Sequence, residues 1–251
     1  LGFNRPMPGL KSLINILLQK GLYVTPNQVS NAAISLLKFE PSLNKHLQSI
    51  NSFEAVQKPL EIIKDLIELP LLLKLMSVCP LPDVELEKLF SNLRAGLVTS
   101  ISSLEVSSEL LRFQSALALQ CFTNEYIYNQ TKEEEQALEV LEKSVIKAFK
   151  NNQQPAPQVI LALASYKALN QYDWCNLLGV TDKIKEVYTR QFEEPNEEIK
   201  FKSRLPLLDG ITGHVSSKVR DQYEEYPYPR WVNLGLPLKP TTISKMITDF
   251  K

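Results

Sequence analysis

The residues able to do chemistry in this chain are few and set apart. His46 falls late in a leucine-containing helix and His214 in a loop. A lone histidine in such places is usually a surface or hydrogen-bonded residue rather than a general base. The sequence has no H-x-x-x-H or H-E-x-x-H run and no Cys/His cluster at metal-ligand spacing. The scattered glycines form neither G-x-G-x-x-G nor a P-loop, so no backbone cradle for a phosphate or nucleotide is encoded. Ser102, Ser103, Ser107 and Ser108 lack a nucleophile elbow, and the run Glu133-Glu134-Glu135 reads as the solvated start of a helix. No catalytic, cofactor-binding or metal residue is expected in this chain.

Two other stretches stand out. In Gln120-Cys121-Phe122-Thr123-Asn124-Glu125-Tyr126, polar groups sit inside a strongly apolar helix. Gln120 and Asn124 are one turn apart and share a face, so they can hydrogen-bond a neighbouring loop. The simpler reading is a buried network that holds helices in register. The sharper one makes Gln120, Asn124 and Glu125 a recognition surface. Near the C-terminus, Arg220 to Trp231 packs tyrosines, prolines, glutamates and arginines together. Pro227 and Pro229 fix φ and remove backbone donors, so Tyr226 to Pro229 is expected to be extended. A rod carrying Tyr223, Tyr228 and Trp231 is expected to dock rather than stand in water.

Composition bounds the setting. Twenty-eight basic and 28 acidic residues cancel, so nothing draws the chain electrostatically to nucleic acid or an anionic membrane. Three unpaired-looking cysteines, Cys79, Cys121 and Cys175, read as buried thiols of a reducing compartment, hence a cytoplasmic protein. The greasiest stretch, Leu60 to Leu81, is broken by Glu61, Lys64, Asp65, Glu68, Pro70 and Lys74 and is no membrane span.

Helices must position all of this. Leu10, Leu13, Ile14, Leu17 and Leu18 make one apolar stripe ended by Gly21; Val29, Ala32, Ala33, Leu36 and Leu37 make a second, opened by Thr25-Pro26. Pro41, Pro59 and Pro70 each start a short helix. Asp83 caps a helix whose stripe is Leu86, Leu89, Phe90, Leu93 and Leu97, and Ser107-Ser108 open the one bearing Leu110, Phe113, Leu117 and Cys121. Thr131 with Glu134 forms a capping box ahead of Leu138, Leu141, Val145 and Phe149. Pro157 begins a helix through Leu169, and Thr181-Asp182 open another carrying Ile184, Val187 and Tyr188. No strand pattern occurs. The expectation is an all-α, multi-helix bundle, non-repetitive or of degenerate helical-repeat type, over residues 1–193. A loop-rich junction follows over 194–251, with an acidic, proline-broken patch, a short helix near 216–225 and the extended aromatic tail. A tetratricopeptide period of about 34 residues is not evident, and Leu178 stands where that signature has glycine.

The run Val219-Arg220-x-Gln222-Tyr223-Glu224-Glu225-x-Pro227-Tyr228-Pro229-Arg230-Trp231 resembles a motif of bacterial methyltransferases. Those proteins join an N-terminal helical, often tetratricopeptide-bearing, region to a class I S-adenosylmethionine-dependent domain. Gln120 to Tyr126 and the leucine-rich helix from Leu86 to Leu97 are similar to further parts of that family, so the likeness spans roughly residues 70 to 235. Tyr226 departs from it, standing where asparagine is usual. The glycine-rich cofactor loop of the family has no counterpart in this sequence, and both ends of the chain look like cuts in a longer one. The resemblance implies a non-catalytic helical region that binds a protein or peptide and seats a catalytic domain of the same parent chain. That seat would be Gln222, Tyr223, Glu224, Glu225, Tyr228, Arg230 and Trp231, with S-adenosylmethionine held only by the absent domain. The alternative is a stand-alone helical interaction module.

Overall fold

Proline sets the rhythm of the N-terminal half. It opens α1 (Pro8–Lys20), α2 (Pro26–Leu37), α3 (Pro41–Ser49), α4 (Pro59–Leu66) and α5 (Pro70–Val78). In a first turn its fixed φ suits the helix and its missing N–H is one that would have no intrahelical acceptor. The computed structural model describes residues 2–21, 24–50 and 56–202, together with Arg204, Lys218 and Thr242. The aromatic strip, His214 and the helix expected near 216–225 lie essentially outside them. Gly21 ends α1 in the left-handed region at φ 65°, its N–H returning to the Leu17 carbonyl.

Side-chain caps then take over. The Asp83 carboxylate accepts from the Leu86 N–H at the start of α6 (Val84–Ser100), and the Ser107 hydroxyl accepts from Leu110 N–H at the start of α7 (Ser108–Thr123). Thr131 and Glu134 complete a reciprocal capping box on α8 (Lys132–Lys150). Among the described residues the protein is helical and contains no strand. None of its described helices is long and apolar enough to cross a membrane.

Two buried clusters make up the core. One gathers α1 to α5 against the inner faces of α6 and α7; the other gathers α8, α9 (Pro157–Ala164) and the chain beyond. α6 and α7 contribute to both, α6 through Leu93 and Val98 and α7 through Phe113 and Leu119. A helix shared in this way is covered on nearly every side, and α6 is buried continuously from Leu89 to Val98.

Four expectations change. Leu13 does not join the α1 stripe and is half exposed. α9 ends at Ala164, not Leu169, and a separate 3-10 turn spans Leu169–Gln171. The early unwinding frees Tyr166 to turn inward, as described below. The helix expected to open at Thr181-Asp182 opens at α10 (Lys185–Tyr188) and continues through a π turn, Thr189–Glu193, into α11 (Glu194–Lys202). The acidic patch around Pro195 is therefore helical. Pro195 cannot donate to the Gln191 carbonyl and its ring would strike it, so the helix widens there, with the Glu194 N–H reaching back to Thr189. Finally, Glu134 is not solvated: its side chain is buried.

Candidate functional site

Arg94 occupies a position on α6 that periodicity assigns to the core, one turn after Phe90. Its side chain is buried at 2% exposure. One guanidinium nitrogen, Nη2, donates to the Asn129 carbonyl at 2.7 Å, to the Tyr128 carbonyl at 3.4 Å and to Glu134 Oε1 at 3.3 Å. Glu134, equally buried, also accepts a 2.5 Å bond from the Tyr166 hydroxyl, while its Oε2 accepts the Thr131 N–H at 2.8 Å. The guanidinium lies 4.1 Å from the Tyr166 ring centroid and 5.7 Å from that of Tyr128. The capping box thus extends inward as an ion pair that joins α6, the start of α8 and the turn after α9. Burial is the first cause that drives the Tyr128 and Tyr166 hydroxyls well above the ordinary tyrosine range, so both remain neutral donors.

Gln120 and Asn124 also point inward, at 1% and 6% exposure, while Glu125 is half-buried. With its amide nitrogen toward α5, Gln120 donates to the Met76 and Cys79 carbonyls at 3.1 Å each. Those carbonyls belong to the C-terminal turn of α5, where intrahelical partners run out. Asn124 ends α7, and Glu125 and Tyr126 follow in the left-handed region at φ 58° and 55°. Tyr126 N–H closes this turn on the Cys121 carbonyl at 2.7 Å. Gln120 therefore forms an interior network. Of the sequence-predicted site residues, Gln222, Tyr223, Glu224, Glu225, Tyr228, Arg230 and Trp231 lie outside the described residues.

The π turn supplies two further ties. Gln191, fully buried, donates to the Ala118 and Ala164 carbonyls at 3.0 Å each, stitching α7 to the end of α9. Arg190 Nη1 donates to the Ser77 carbonyl at 2.9 Å, a second cover for the end of α5. Gln120 and Arg190 thus both cover the C-terminal end of α5, one from α7 and one from the π turn. Sequence reasoning missed Arg94, Tyr166 and Gln191. An arginine inside a leucine stripe was the one available signal.

Between α5 and α7 opens a groove of about 490 Å³, closed at its sides by Gln19 and by residues 182–186. Leu73, Leu111 and Leu119 form its apolar floor. Lys74, Arg112, Lys183, Asp182 and Glu186 carry both signs of charge onto its rim, and Ser77 and Ser115 line it between them. Its volume falls within the range of ligand-binding clefts. Burial pushes the thiols of Cys79, Cys121 and Cys175 up to about 12, so none is a ready nucleophile. No group of three or more His, Cys, Asp or Glu suited to a metal ion occurs among the described residues.

His46 Nε2 lies 2.7 Å from Asp65 Oδ2, which Lys45 also meets at 2.7 Å, joining α3 to α4. The hydrogen bonds from Lys45, first, and from His46 hold the Asp65 carboxyl below the usual range. A carboxyl lowered on folding contributes stability that is complete above its unfolded pKa of about 3.9 and is lost as pH falls through the folded value. Asp65→Asn should therefore lower stability near neutral pH by about 1 kcal/mol or less. The difference should shrink as pH falls below the unfolded value of about 3.9 and close once the folded carboxyl is protonated as well, as read by urea midpoints of both proteins across the acid limb. A gap that persists there would assign the effect to packing instead.

No family model, curated protein or solved structure matches this chain.

Proposed function

We propose that this chain is the non-catalytic helical region of an S-adenosylmethionine-dependent methyltransferase, and that it holds a polypeptide segment in the α5–α7 groove. The groove is the observation that carries the second half. It has an apolar floor for one or two side chains and a rim of mixed charge that suits a segment bearing both signs. The first half rests on the likeness of residues 120–126 and 219–231 to that family's sequences. In this reading the catalytic domain belongs to the same parent chain, is seated through Gln222 to Trp231, and alone binds the cofactor; the setting is the cytoplasm.

Calorimetric titration of the chain with S-adenosylmethionine should give no binding heat. Micromolar or tighter binding would overturn the division of labour. Panning a displayed peptide library should enrich one peptide family on the chain, and that enrichment should be lost on Ser115→Trp, which fills the groove from α7. Enrichment unchanged by Ser115→Trp, or none at all, would remove the groove from the proposal. Peptide binding retained by a protein with no methyltransferase domain encoded beside it would favour the stand-alone module.

A further inference from the structure

Arg94 uses Nη2 for every hydrogen bond to Tyr128, Asn129 and Glu134. Its Nε–H remains buried without a partner in the protein. On the facing helix, Gln114 is 1% exposed, and its Nε2 donates to the Gln158 carbonyl at 3.2 Å. That bond fixes which way the amide points, and Oε1 is then a buried acceptor with no partner in the protein. An orphaned donor on a cation and an orphaned acceptor each forfeit the hydrogen bond they had to water in the unfolded chain, a costly state if left so. A native interior seldom leaves both in one place.

Both residues line the same small cavity, of about 10 Å³, together with Leu97, Val98, Ser165 and Tyr166. We propose that this cavity is a binding site for a single water molecule, which accepts from Arg94 Nε–H and donates to Gln114 Oε1. Size and polarity select the ligand. The volume corresponds to about one water-sized sphere and excludes any larger molecule. An anion, which the arginine alone would attract, meets the carbonyl oxygen of Gln114 on the other side. An apolar occupant would leave both polar atoms unsatisfied. The Ser165 hydroxyl already donates to the Leu161 carbonyl at 2.9 Å, so toward the cavity it offers only lone pairs, a second acceptor for the water. The water completes the coordination of Arg94 and links α6 to α7 at the seam between the two core clusters.

The test uses the whole chain. A high-resolution crystal structure should show one spherical density peak within about 2.7–3.2 Å of both Arg94 Nε and Gln114 Oε1. Oxygen-17 magnetic relaxation dispersion should count one fewer long-lived water in Gln114→Leu than in the parent. An empty cavity in the crystal, or the same count in both proteins, overturns the site. Should Gln114→Leu not fold, the parent's density alone decides.

Discussion

Arg94→Met is expected to destabilise the protein by about 3–5 kcal/mol, the largest effect of any single polar substitution proposed for it. The reason is the carboxylate left behind. Glu134 is 3% exposed at its side chain and keeps the Thr131 N–H and the Tyr166 hydroxyl as partners, but loses the cation that meets it. Methionine fills much of the arginine's space, so the loss is electrostatic rather than a cavity. The midpoint of urea unfolding should fall with the m-value unchanged. Glu134→Gln should also destabilise, by stranding Arg94. The double substitution should cost much less than the sum, because it removes both buried charges. Single effects that add to within about 0.5 kcal/mol would show that the pair is not coupled and that Arg94 is held mainly by its bonds to the Tyr128 and Asn129 carbonyls.

That buried pair marks where sequence reading stops. The all-α class was legible because proline starts, Asp83, Ser107 and the Thr131–Glu134 box are local signals, each acting within one turn. The same box hid its second role. Capping predicts what Glu134 does for the Thr131 N–H, but the partner of its other oxygen is 40 residues away on α6. Position 94 lies one turn after Phe90 and is buried, yet a long side chain there could equally have carried its charge outward to water. Pro195 was legible as a breaker. That the helix absorbs it by a π turn, sending Gln191 into the core, depends on the Ala118 and Ala164 carbonyls waiting there. The groove was not legible at all, since it arises from the relative placement of α5 and α7. Gln120 was legible as a polar residue in an apolar helix, but its partners, the Met76 and Cys79 carbonyls at the end of α5, were not.

Gly96→Ala is expected to destabilise the protein by about 1–3 kcal/mol, against the sign that helix propensity gives. Alanine in place of glycine inside a helix ordinarily stabilises by up to about 1 kcal/mol. At Gly96 a Cβ would overlap the Val56 carbonyl oxygen and stand 3.1 Å from the Val56 nitrogen, both backbone atoms that no rotamer change can move. The approach is held from the other side as well, because the Val56 N–H donates to the Asn92 carbonyl of α6 at 3.1 Å. The glycine is thus where the chain entering α4 crosses the central helix. Gly9, in the first turn of α1, would carry a Cβ with nothing within 4 Å of it and is the matched control. Gly9→Ala should leave the thermal midpoint unchanged or raise it slightly, whereas Gly96→Ala should lower it by several degrees. Equal shifts in the two variants would mean that residue 56 yields freely, and that its contact with α6 contributes nothing to holding α4 in place.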